Sequence, residues 1–176
     1  MEHGDHVALN YDLDAPLVEC TSIEDWKEKA KGHKVFVTPH HMGYQGGYRG
    51  YNWKCFTEGD ITPFVEMYSR HGLAESDQGD YPYLHDMGPR QWEGTIQCGL
   101  EQGKKFGIMG STDQHAGYPG SYGDGRIGIL AESLSRDKIW DAMKNRHVCC
   151  ATGDKINIDF RLNDAFPGDV VRGNSR

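Results

Sequence analysis

Three short stretches bring imidazole and carboxylate side chains to places where a strand should end. Gly110-Ser111-Thr112-Asp113-Gln114-His115 follows the apolar run Phe106 to Met109 and offers Asp113 and His115 two residues apart. On extended backbone such a pair points to one side, and a carboxylate beside an imidazole suits a divalent metal. Thr38-Pro39-His40-His41 follows the β-branched and aromatic run Val35 to Thr38. It offers one imidazole as a ligand and a neighbour facing a second metal or the substrate. In Phe64-Val65-Glu66-Met67-Tyr68-Ser69-Arg70-His71-Gly72, Glu66 stands inside an apolar strand. A buried carboxylate is costly there unless a metal or a cation partners it, and His71 lies just beyond the strand end. Glu2, with His3 and His6, precedes the first strand; taken alone, a segment at a terminus reads first as a frayed, solvated end.

Each stretch alone has a plain alternative: a loop carboxylate, surface histidines, or a Glu paired across the sheet. Their shared position argues for more. His40, His71, Asp113 and His115 all fall at the C-terminal ends of expected strands, three strands in all, the edge where βα folds build active sites. The loop Gly43 to Trp53 holds four glycines, three tyrosines, a Trp and Arg49. It reads either as a flap that brings Arg49 to an anionic group or as a long packed surface loop. Gly123-Asp124-Gly125-Arg126-Ile127-Gly128 matches a dinucleotide fingerprint by letter only, because a loop precedes it and a strand follows. Ser111 and Ser69 lie near histidines but lack a nucleophile-elbow setting.

The elements that must position these residues alternate in type. Strands are expected at His6 to Tyr11, Val35 to Thr38, Phe64 to Tyr68, Phe106 to Met109, Ile127 to Leu130 and Ile156 to Leu162. Helices are expected at Ser22 to Ala30, Trp92 to Gln102 and Asp137 to Arg146. Ser22 with Asp25 three residues on forms a capping signal, and Ile156, Ile158, Phe160 and Leu162 alternate as a half-buried strand would. Repeated βα units favour a parallel sheet or barrel with outer helices. The expectation is an α/β fold, a distorted or partial β/α barrel incomplete at its N-terminus. Residues 1–154 would form the metal-dependent domain, and residues 155–176 a strand and tail that begin a further segment.

With 176 residues the chain can bury one core. A net charge of −7 and the lack of a basic stripe argue against a nucleic-acid surface. Five cysteines without CxxC spacing read as thiols in a reducing compartment, hence a cytoplasmic location. No apolar run is long enough to span a membrane.

In their order, Thr38 to His41, Val65 to Gly72 and Gly110 to His115 resemble the later motifs of the polymerase and histidinol phosphatase (PHP) superfamily. Ile139 to Arg146 followed by Ala151-Thr152-Gly153-Asp154 is similar to a branch of it of unknown function. The resemblance implies a distorted β/α barrel, one to three divalent ions (Zn, Mn or Fe), and hydrolysis of a small anionic substrate, a phosphoester. It matches Glu2 to the family's mid-chain Glu, His40 (with His41 as the alternative) and His71 to the histidines that follow, and Asp113 and His115 to the closing pair. Glu2, His40 and His71 would then share one metal, while Asp113 and His115 each reach toward a neighbouring one. The family's opening His-x-His strand has no counterpart here. One site would be complete in this chain, and the other ligands would come from a missing N-terminal half or a second chain in a homo-oligomer. Arg49 or Arg70 would neutralise the anion, with Asp113 orienting water or ligating. Two rivals are an association module built on an incomplete barrel and an amidohydrolase-like C–N hydrolase.

Overall fold

The computed structural model describes residues 3–47, 49–56, 58–59, 61–78 and 88–173. Seven strands and three short α-helices alternate along them: β1 His6–Asn10, α1 Ile23–Lys29, β2 Val35–Pro39, β3 Phe64–Ser69, β4 Gly72–Leu73, α2 Ile96–Glu101, β5 Gly107–Gly110, β6 Arg126–Ile129, α3 Arg136–Lys144 and β7 Val148–Ala151. Side-chain caps open the helices. The Ser22 hydroxyl accepts from the Asp25 N–H at the start of α1, and Ser135 does the same for Lys138 at α3. The expected helix from Trp92 is broken in two. A 3₁₀ turn at Trp92–Gly94 ends at Thr95, whose hydroxyl accepts from the Cys98 N–H and restarts the chain as α2.

Strand direction overturns the barrel. β1 pairs antiparallel with β2, β6 antiparallel with β7, and only β3 and β5 run parallel, with β4 antiparallel on the other edge of β3. Three strand–helix–strand passages are present, but α1 and α3 each connect antiparallel neighbours. A β/α barrel needs every crossover to return the chain in the same direction. The described residues therefore form three small sheets, and no barrel closes among them. The sheets lie against one another: the Val37 N–H donates to Ile61 O at 2.7 Å and the Thr38 hydroxyl to Phe64 O at 3.3 Å, tying β2 to the start of β3. β5 meets β7 closely at Gly110, where a Cβ would lie 2.9 Å from Cys150 Sγ and 2.8 Å from Arg126 O.

The core has three parts. Phe36, Phe64, Met109, Met143 and Val148 fill the space between the sheets and α3. Trp26 and Ala30 of α1 cover Val35 and Val37. Tyr51, Trp53 and Phe56 pack with Met42, Val65, Ile96 and Cys98. Tyr44, Tyr51 and Trp53 are almost wholly buried, so these rings of the Gly43 to Trp53 loop belong to the core, while Gln45, Gly46 and Gly47 are exposed. At the other end of the chain, the strand expected from Ile156 to Leu162 has no ladder partner among the described residues. Ile156, Ile158, Phe160 and Leu162 are 56–81% exposed. Among the described residues, no helix is long and apolar enough to cross a membrane.

Candidate metal centre

The ends of β2, β3 and β5 converge on one carboxylate. Asp113 Oδ2 lies 2.7 Å from His71 Nε2, 3.3 Å from His41 Nε2 and 3.4 Å from His40 Nε2, and its Oδ1 lies 3.4 Å from His115 Nε2. The Asp113 side chain is only 10% exposed, and His40, His41 and His71 are similarly enclosed, whereas His115 is 76% exposed and forms the solvent side. Two sets have ligand atoms all within 4.8 Å of one another: His40, His41 and Asp113, and His71, Asp113 and His115. Asp113 belongs to both.

Behind the imidazoles stand two more carboxylates. Glu66 Oε1 is 2.8 Å from His40 Nδ1, and its other oxygen accepts the Ser111 hydroxyl at 2.5 Å. Asp5 Oδ2 is 2.8 Å from His41 Nδ1. A carboxylate on Nδ1 fixes the ring's orientation and makes Nε2 the free ligand atom, the outer-shell arrangement of metal-bound histidine. The donor chemistry, imidazole nitrogen with carboxylate oxygen, suits Zn, Mn or Fe. The residues fit a divalent ion.

Backbone conformation makes the convergence possible. His41 has φ 55° and Asp113 φ 46°, left-handed values that non-glycine residues seldom adopt. Adjacent residues on extended backbone point to opposite sides. The turn at His41 instead brings the His40 and His41 rings to a centroid separation of 3.6 Å. Asp113 reaches His115 in the same way, through a turn and not through the two-residue period of a strand. Strained dihedrals held by their surroundings concentrate at functional sites.

The charges respond accordingly. Burial alone would lower the His40 pKa, but its bonds to Asp113 and Glu66 outweigh this and raise it to about 10. Burial would raise Asp113; His40 and His41 overcome that and hold its carboxyl well below the usual carboxylate range. Cys150 lies nearby, and burial, Cys149 and Glu66 push its thiol up to about 12, which keeps it protonated and a poor ligand.

Of the sequence candidates, His40, His41, His71, Asp113 and His115 come together. Glu66 is present as the support of His40, with both oxygens engaged by protein groups. Glu2 lies outside the described residues. The expected sharing of one metal by His40 and His71 gives way to a different grouping, His40 with His41 and His71 with His115. Arg49 is tied to the site through its backbone, its carbonyl accepting from the Asp5 N–H at 3.2 Å. Arg70 Nη1 reaches Gln114 Oε1 at 3.4 Å, which puts a guanidinium beside the Asp113 loop. Sequence reasoning missed Asp5 and the supporting role of Ser111. The antiparallel register His6 to Pro39 is what places Asp5 next to His40, whose N–H donates to Asp5 O at 2.9 Å.

A cluster of histidines around a shared Asp, held at strand ends in small sheets with few helices, is what the geometry defines. The chain is similar to an uncharacterized protein of Chlamydia trachomatis serovar D, 24% identical over 133 residues that make up 69% of this chain and 21% of the relative. It is also similar to an uncharacterized protein of Chlamydia muridarum, 25% identical over 118 residues, 61% of this chain and 19% of the relative. The chain thus spans about a fifth of the length of these curated relatives. No protein-family model matches it, and no solved structure matches it significantly.

Proposed function

We propose that this chain carries the metal-binding part of a divalent-metal-dependent hydrolase acting on a small anionic ester, a phosphoester. The observation that carries the reading is the convergence of four imidazole Nε2 atoms on the Asp113 carboxylate, two of them braced from behind by Glu66 and Asp5. His40 and His41 with Asp113 would hold one ion, and His71 and His115 with Asp113 a second, Asp113 lying between them. A divalent ion there supplies Lewis-acid charge that activates water and neutralises the oxygens of the ester. The chain's own residues do the rest. Glu66 and Asp5 keep the His40 and His41 Nδ1 protons in place, Ser111 fixes Glu66, and exposed His115 faces the incoming substrate. Arg70, beside Gln114, offers a guanidinium to the anion. The resemblance of these stretches, in their order, to the later motifs of PHP phosphoesterases favours the phosphoester over an amide in this reading. We read the activity as that of a longer protein, because the relatives extend well beyond this chain, and place it in the cytoplasm, the reducing setting that suits five cysteines without CxxC spacing.

Hydrolysis of p-nitrophenyl phosphate and of a p-nitroanilide, each with added Zn or Mn, tests the reading. Metal-dependent release from the phosphate that is abolished by Asp113→Asn is the expected result. Release from the anilide alone would replace it with C–N hydrolysis, and release from neither by a metal-loaded chain would refute catalysis by this site as it stands.

A further inference from the structure

The segment from Ile156 to Leu162 has the composition of a strand but joins no ladder among the described residues, its one bridge being the local contact of Leu162 with Ala165. Ile156, Ile158, Phe160 and Leu162 occupy alternate positions, and all four are more than half exposed. Between them stand Asn157, Asp159 and Arg161. Residues 157–161 make no backbone–backbone hydrogen bond among the described residues; Ile156 and Leu162 at the two ends close local turns with Asp154 and Ala165. The segment forms one wall of a cleft of about 390 Å³, whose other side is lined by Ile129 and Val148 of the β6–β7 sheet, by Leu130 just beyond β6, and by Phe166. Free amides and carbonyls next to an apolar stripe form a template for another strand.

We propose that this segment pairs antiparallel with the same segment of a second copy of the chain, forming a two-fold dimer centred on Phe160. The charges select that partner and that register. With Phe160 opposite its own symmetry mate, Ile158 meets Leu162 on the apolar face. Asp159 meets Arg161 on the polar face, and the two-fold axis makes that pair twice, as a self-complementary interface requires. Within one chain, Arg161 Nε already reaches Asp159 Oδ1 at 2.9 Å on an exposed surface, and the dimer exchanges the two local pairs, one in each copy, for two across the interface. Sliding two residues either way sets Asp159 against Asp159 or Arg161 against Arg161, and like charges directly opposite oppose pairing. A one-residue slip turns the apolar stripe against the polar one. The cleft along β6 and β7 receives apolar side chains of the partner.

The test is the mass in solution of this chain and its charge variants by sedimentation equilibrium, at on the order of 100 µM, because an interface this small binds weakly. The chain itself is expected at twice its monomer mass. Asp159→Arg and Arg161→Asp, each alone, place like charges opposite each other and weaken self-association at least about fivefold. Mixing the two variants, or combining both changes in one chain, restores the pair. Both sites are exposed, so the fold is unaffected, which circular dichroism verifies. A monomeric parent chain at that concentration overturns the proposal. So does a dimer that both single changes leave intact, or one that mixing fails to restore.

Discussion

Asp113 contacts all four imidazoles that form the candidate centre, and no other residue of the site does. Asp113→Asn removes the charge shared by both ligand sets, so it is expected to weaken divalent-metal binding more than any other single change. Glu66→Gln and Asp5→Asn leave the ligands in place but loosen their aim, and about 10–100-fold lower metal affinity is expected for each by isothermal titration. An unchanged affinity in both would show that the braces are incidental. Protonation gives a second test. Once a chelator has stripped the metal, the His40 pKa is about 10 in the folded chain, against roughly 6.5 unfolded. A raised pKa contributes stability fully below the unfolded value and loses it as pH rises through the folded one. Asp113 is depressed, so its contribution is present above roughly 3.9 and is lost as pH falls. Thermal melts of the stripped chain should therefore fall off through the alkaline range and again in acid. His40→Ala should flatten the alkaline decline, and an identical profile in that variant would contradict the assigned pair. The five converging residues were legible in the sequence because each follows a strand. Asp5 was not, since only the β1–β2 register puts it beside His41. Asp113 and His115 do meet, but not through the two-residue period of extended backbone, because Asp113 has φ 46°.

At the scale of elements, helix and strand positions follow from local chemistry. The Ser22 and Ser135 caps start α1 and α3 where the sequence indicates, and Ser22→Ala is expected to cost about 1 kcal/mol. The interior of Trp92 to Gln102 was less legible: Thr95 caps from within a run of helical composition, and a side-chain hydroxyl competing for backbone N–H groups outweighs periodicity there. Close approach of strands is invisible to pattern reading altogether. Gly110 lets β5 lie against Cys150 and Arg126. Gly110→Ala forces these apart and should destabilise the chain by about 1–3 kcal/mol, the usual cost of overpacking, with metal affinity reduced because Ser111 and Asp113 follow directly. A variant with unchanged melting temperature and affinity would show that β5 and β7 have room to spare.

For the whole molecule, alternating strands and helices pointed to a barrel, and the pairing is otherwise. Periodicity specifies that a strand exists and which face it buries; it does not specify direction, which depends on where each helix returns the chain. Three small sheets with β2, β3 and β5 ending near one point nevertheless gather the ligands, so the site depends on three strand ends and not on closure. The exposed stripe at Ile156 to Leu162 belongs to this scale too, since its burial needs something beyond one copy of the described residues. The central claim is that the cluster around Asp113 binds divalent metal. Metal content by plasma mass spectrometry, on protein purified without a His tag and reconstituted with Zn or Mn, tests it most directly. At least one ion per chain is expected, lost on Asp113→Asn together with His40→Ala. A folded parent chain that holds no metal after reconstitution, or a double variant with the same metal content as the parent, would contradict it.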